Sequence, residues 1–177
     1  MLCYLLIIET EPEKRKFEKI YLKYRQMMHY AANRILHDGH LAEDAVHKAF
    51  IRVIEHLDKI NEDDHVRTKA FLTVITEHIA IDLYRKRKKE NWISYEELDI
   101  YLADEQPVPE GTSEVAKAIL ELPVNYSAVL RLKYAQGYTD REIAEILHIS
   151  EDNVRQRIAR AKKKLKKALE ESGVTVE

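Results

Sequence analysis

Apolar residues recur along this chain at helical spacing, four apart with neighbours filling in beside them. "LAEDAVHKAFIRVIEHL" sets Leu41, Ala45, Ala49, Val53 and Leu57 in one row, with Ala42, Val46, Phe50 and Ile54 next to it. Such a pattern predicts a strongly amphipathic helix with one wide apolar face. Upstream, "EKRKFEKIYLKYRQMMHYAANRIL" reads as another helix, closing near "HDGH", where Gly39 suits a C-terminal cap. Downstream, "TKAFLTVITEHIAIDLYRKRKK" is apolar almost all round through Ile81 and then turns sharply basic. A helix buried over its first half and emerging at a surface over its last turns has this pattern. These stretches predict an all-helical first domain over residues 1–89.

Residues 90–113, "ENWISYEELDIYLADEQPVPEGTS", differ in kind. They hold seven acidic residues, no Lys or Arg, and the breakers Pro107, Pro109 and Gly111, so they read as a linker. A second domain, residues 114–177, follows. "SEVAKAILELP" and "NYSAVLRLKYAQG" supply two helices, punctuated by Pro123 and Gly137. Thr139 and Glu142 have capping-box spacing, so a helix starts there with Ile143, Ala144 and Leu147 inward. "HIS" breaks the period, and Ser150 caps a further helix with Glu151 and Asp152 in its first turn, favourable at the positive end of the dipole. Its inner face is Val154, Ile158, Ala161 and Leu165. Helix, short turn and helix then share one core. The expected fold class is all-α, two small helical domains joined by an acidic linker.

Charge sharpens this picture. The chain has 177 residues, 45% of them hydrophobic, with 29 Lys+Arg against 31 Asp+Glu and a formal net charge of -2. Affinity for nucleic acid must therefore come from local clustering. Between Arg155 and Lys167 stand eight basic residues and no acidic one. With Val154, Ile158, Ala161 and Leu165 turned inward, Arg155, Gln156, Arg157, Arg160 and Lys163 lie on or beside the outer face. Such a helix suits the DNA major groove: Arg bonds the edge of guanine in a bidentate way, Gln does so for adenine, and lysines neutralise phosphates. A second basic run, "YRKRKKENW", is flanked by aromatics, the composition that suits unstacked single-stranded nucleic acid.

Other chemistries find little support. Cys3 is the only cysteine, so no intrachain disulfide forms and a reducing, cytoplasmic compartment is the simpler expectation. The opening "MLCYLLII" lacks a preceding basic segment and a cleavage site and is too short to span a bilayer, so it reads as a folded segment. His37, His40, Asp44 and His47 have spacings that can converge on a metal, but with eight histidines in the chain chance proximity explains them as well. No Gly-rich phosphate loop, nucleophile elbow or HExxH is present. Glu96 and Glu97 sit in the linker, where nothing rigid holds them for acid–base work. We expect no enzyme, no cofactor and no metal.

From about Phe17 to Leu169 the chain resembles the bacterial sigma factors of the extracytoplasmic-function (ECF) group, which carry only the second and fourth conserved regions of the sigma-70 family. "LAEDAVHKAFIRV" is similar to the helix that grips the clamp helices of the polymerase beta-prime subunit. The resemblance makes Asp44, His47, Lys48 and Ile51 core-binding candidates. "FLTVITEHIAIDLYRKRKK" and the loop "NEDDHVRT" before it resemble the element for the melted −10 region, which nominates His65, Arg67, His78, Asp82, Arg85, Lys86 and Arg87. "LPVNYSAVLRLKYAQGYTDREIAEILHISEDNVRQRIARAKKKL" resembles the fourth region, whose second helix reads the −35 element. Its candidates are Arg141, Ser150, Asn153, Arg155, Gln156, Arg157, Arg160 and Lys163. Implied partners are core RNA polymerase, through the beta-prime clamp helices and the beta flap, promoter DNA both duplex and melted, and an anti-sigma protein. The linker is similar to one that threads toward the polymerase cleft, where acidity mimics a nucleic-acid backbone.

This chain departs from the family's usual residues at Phe71 (Trp), His78 (Asn), His47 (Gln), His148 (Gly in the turn) and Asn153 (Thr). His is tolerated at left-handed positions better than a β-branched residue. Two other classes stay open on the residues alone. One is a stand-alone dimeric helix-turn-helix regulator, which needs paired half-sites and a dimer interface. The other is a helical adaptor whose basic faces meet an acidic protein.

Overall fold

The computed structural model of the chain describes residues 1–89 and 111–171. Most of the acidic linker expected at 90–113 therefore lies outside the described residues. Two compact units make up the chain, Met1–Tyr95 and Glu96–Glu177. Every regular element among the described residues is helical.

The first unit contains α1 (Leu2–Leu5), α2 (Glu11–Leu36), α3 (Gly39–Glu55) and α4 (His65–Lys89), with a 3-10 turn at Leu57–Lys59. Thr10 starts α2: its hydroxyl oxygen accepts from the Glu13 amide at 3.4 Å, and Glu11 and Glu13 sit in the first turn, at the positive end of the dipole. The end of α2 differs from expectation. His37, not Gly39, adopts the left-handed conformation, at φ 48°, and its N–H donates to the Asn33 carbonyl at 2.8 Å. Gly39 is instead the first residue of α3. The reason lies in Asp38, whose carboxylate accepts from the His40 and Leu41 amides at 3.1 and 3.2 Å and so starts α3 one residue before the glycine.

Helices α2, α3 and α4 pack pairwise around one core. Phe17, Ile20 and Met28 of α2, Phe50 of α3, and Leu72, Ile75 and Ile81 of α4 are fully enclosed. Each such side chain contributes roughly 1.5–3 kcal/mol relative to exposure. As its pattern predicts, α4 is buried nearly all round from Phe71 to Ile81 and exposed at Lys86 and Arg87. Thr76, inside that run, donates its hydroxyl to the Leu72 carbonyl at 2.7 Å, which removes the cost of an unpaired buried group.

The second unit contains α5 (Glu114–Leu120), α6 (Val124–Leu130), α7 (Asp140–Leu147) and α8 (Glu151–Glu171). Ser113 caps α5 by accepting from the Ala116 amide at 3.2 Å. After α6 the chain widens into a π-helical turn, Arg131–Ala135, and leaves it through Gly137, whose φ of 79° is open to glycine at little cost. Helix α8 is the spine of this unit and packs against α5, α6 and α7. Ala161 of α8 sits fully buried against Leu122 and Leu130, with Ile119, Tyr126 and Leu165 around them.

Candidate nucleic-acid and polymerase interfaces

Both caps that the sequence predicts in the second unit are present. Thr139 accepts from the Glu142 amide at 3.3 Å while the Glu142 carboxylate accepts from the Thr139 amide at 2.9 Å, a complete capping box. The Ser150 hydroxyl oxygen accepts from the Asn153 amide at 3.2 Å. Between them α7 ends in a Schellman motif: the Ile149 N–H donates to the Ala144 carbonyl at 3.0 Å and the His148 N–H to that of Glu145 at 3.3 Å. His148 takes the left-handed conformation, φ 53°, that the turn requires. Ile143, Ala144 and Leu147 of α7 face the same interior as Val154, Ile158 and Ala161 of α8.

With that face committed inward, Asn153, Arg155, Gln156, Arg160 and Lys163 stand exposed, and Arg157 is half-buried. Helical geometry puts the exposed set on the side away from the core. Arg155 already has partners, Asp152 at 2.7 Å and Glu151 at 3.4 Å, and the Asp152 carboxylate raises its pKa further. Those carboxylates compete with any phosphate or guanine for its guanidinium. Arg141 likewise reaches Glu145 at 3.3 Å. Ser150 is occupied as the cap. Farther along α8, Arg160, Lys163, Lys164, Lys166 and Lys167 surround a hollow of about 530 Å³ with Tyr126, over whose ring the Lys164 ammonium lies at 5.7 Å. Its lining is mostly cationic, with one aromatic wall and one carboxylate, Glu170, which pairs with Lys166 at 3.8 Å.

In the first unit the candidates for melted DNA fall into two groups. His65 and Arg67 are exposed at the start of α4. His65 borders a hollow of about 470 Å³ lined also by Lys19, Lys23, Tyr24, Glu62 and Asp63. Lys23 Nζ stands 3.0 Å from its Nδ1. Lys23 and Tyr24 belong to α2, some forty residues away in the chain, and no local pattern links them to His65. Asp64 orders the entry to α4 by accepting from the Arg67 amide at 3.0 Å and pairing with its guanidinium at 3.5 Å.

At the far end of α4, Lys86 and Arg87 are exposed and Arg85 is half-buried, and Arg87 pairs with Asp38 at 3.2 Å. His78, grouped by its position with the DNA-facing residues, is turned inward instead and is only 2% exposed. It sits in the all-round buried stretch of α4, and its Nδ1 lies 3.5 Å from Asp82. Asp82 is exposed but has an internal task as well. Burial lowers the pKa of Arg52, and the charge of Asp82 opposes that shift.

Asp44, His47, Lys48 and Ile51 form one exposed stripe along α3, opposite the buried Ala42, Ala45, Val46, Ala49, Phe50 and Val53. His47 accepts a neighbour that periodicity does not signal. The Tyr4 hydroxyl lies 2.7 Å from His47 Nδ1, and the Tyr4 ring is buried among Phe17, Tyr21 and Phe50 with centroids 5.4–5.9 Å apart. His37, His40, Asp44 and His47 do not assemble: among the described residues no group of three or more His, Cys, Asp or Glu is placed to hold a metal. Nor is any described helix long and apolar enough to cross a membrane.

Two helical units, the second a capped helix pair with a cationic outer face, coincide with two family matches. Residues 20–90 match Sigma-70 region 2, and residues 112–165 match Sigma-70 region 4. The chain is 31% identical over 164 residues to the ECF RNA polymerase sigma factor SigM of Bacillus subtilis, covering 90% of this chain and 98% of SigM. The chain belongs to the ECF sigma factors. SigW of the same organism is 29% identical over 160 residues, covering 82% of this chain and 84% of SigW, and SigX is 26% identical over 164 residues. An ECF sigma factor binds core RNA polymerase and directs promoter-specific transcription initiation at −10 and −35 elements.

Proposed function

We propose that the outer face of α8 reads the −35 element through Asn153, Arg155, Gln156, Arg160 and Lys163, with Arg141 and Arg157 beside it and Ser150 holding its first turn. The observation that carries this reading is the joint geometry of α7 and α8: both caps are formed, the turn is closed, and the apolar residues of both helices are inward. That leaves the exposed residues of α8 as the unit's cationic surface, the side that a major groove accepts. Lysines further along meet phosphate.

His65, Arg67, Asp82, Arg85, Lys86 and Arg87 serve the −10 element at the two ends of α4. His78 contributes from within, by supporting Asp82. The exposed stripe of α3 docks on the beta-prime clamp helices, and the second unit meets the beta flap. An anti-sigma protein is the partner that silences these surfaces by covering them. Sigma factors are non-enzymatic, so none of these residues carries chemistry.

The test is a nuclease footprint on a promoter, with this protein alone, with core polymerase alone, and with both. Protection of paired upstream elements is expected only with both. A footprint on a palindrome by the protein alone assigns α8 to a dimeric regulator instead. Arg160→Ala in the combined sample should weaken protection at the −35 element and leave the −10 element unaffected.

A further inference from the structure

The segment before α2, residues 1–9, precedes the match to region 2, which begins at residue 20. Tyr4 holds it to the α2–α3 seam, and the chain is buried again at Ile8. Tyr4 is buried in the aromatic box of Phe17, Tyr21 and Phe50, and Ile8 is 5% exposed. Between these two points the chain holds Leu6 at 88% and Ile7 at 58% exposure. Leu6 and Ile7 thus stand exposed between two buried residues, Tyr4 and Ile8. The fold therefore keeps two adjacent large apolar side chains in water. Isolated exposed apolar residues are ordinary, whereas contiguous apolar surface is where partners dock.

The place of the segment names the partner. Tyr4 bonds His47, the centre of the exposed α3 stripe, and Ile51 adds a further apolar residue to that stripe at 37% exposure. Asp44 and Lys48 give the stripe one charge of each sign, the polar rim expected around an apolar contact. We propose that residues 1–9 are a second part of the surface that meets core RNA polymerase, with Tyr4 fixing the segment and Leu6 and Ile7 buried by the polymerase. The inference rests on reading the α3 stripe as the polymerase-facing surface. It adds a contact from outside the residues matched to region 2.

The test is the affinity of the full-length protein for core RNA polymerase, read by fluorescence anisotropy, for wild type, a Leu6→Ser/Ile7→Ser variant and an Asp44→Ala/Ile51→Ala variant. Both variants change exposed residues, and unchanged helical circular dichroism verifies folding. The expected result is a loss of about tenfold or more for Leu6→Ser/Ile7→Ser, the size of effect that apolar anchors carry at protein interfaces. Hydrogen exchange should also show the amides of residues 5–8 becoming protected when core polymerase is added. If the α3 variant loses affinity while the Leu6/Ile7 variant binds like wild type, the segment is not part of the interface and the α3 reading stands. If neither variant loses affinity, the α3 reading fails and takes this inference with it. If Leu6→Ser/Ile7→Ser abolishes only self-association of the free protein, seen by sedimentation, the occupant is a second copy and the proposal is wrong.

Discussion

His148 closes the turn between α7 and α8 in a conformation that costs an L-residue energy, so replacing it by glycine sets two effects against each other. A non-glycine residue in the left-handed region is strained by about 1–2 kcal/mol, and His lies at the tolerant end of that range. Glycine removes the strain but loses roughly 0.5–1 kcal/mol through the greater freedom of its unfolded chain. Both hydrogen bonds of the turn run from backbone N–H groups, His148 to Glu145 and Ile149 to Ala144, and survive any side chain at this position. His148→Gly should therefore match wild type or gain up to about 1 kcal/mol. His148→Ala keeps the strain without the polar side chain and should fall about 1 kcal/mol below glycine. Native-state hydrogen exchange on the full chain measures this locally. Amides of α7 and the first turn of α8 should exchange about fivefold faster in the alanine variant than in the glycine variant. Equal exchange in the two variants would mean that the turn does not hold position 148 at positive φ.

Three further outcomes follow from the geometry. Arg160→Ala should cost about 1–3 kcal/mol at the −35 element if the side chain reads a base, measured as promoter use across a set of −35 variants, whereas a uniform loss assigns it to phosphate. Phe50→Ala empties a fully buried site in the aromatic box and should destabilise the first unit by about 3–5 kcal/mol, seen as early loss of its helices in urea. Burial pushes the Tyr4 hydroxyl up to about 12 from its ordinary value of 10.0. Its neutral form is thus favoured by folding, so its contribution is intact below pH 10 and is lost as pH climbs from 10 to about 12. Tyr4→Phe should remove that part of the alkaline destabilisation, followed by denaturant midpoint against pH.

Much of this architecture is legible in the residues because it depends on local pattern. The outward side of α3 follows from spacing, since the row of Ala45, Ala49 and Val53 with Ala42, Val46 and Phe50 beside it forms the buried face and leaves Asp44, His47, Lys48 and Ile51 outside; the family resemblance, not the spacing, assigns that side to the polymerase. The start of α7 and of α8 follows from Thr139, Glu142 and Ser150, whose hydrogen bonds span three residues. What pattern missed is what depends on competition or on distance. At "HDGH", glycine is the usual C-terminal punctuator, but Asp38 captured two amides for the next helix and left His37 as the left-handed residue. His78 carries a polar side chain at a position that helical phase turns inward, and helix identity alone does not reveal that phase when both faces are buried. Tyr4 meets His47 across forty-three residues of chain, and no periodicity signals such a contact.

As an ECF sigma factor, this protein confers promoter specificity on transcription. The most direct test is multi-round transcription from a bacterial genomic-fragment library by core polymerase with and without the protein, followed by sequencing of transcript 5′ ends. New starts should depend on the protein, share paired upstream elements, and be lost when α8 carries Arg160→Ala together with Lys163→Ala. If no start depends on the protein, it does not act as a sigma factor.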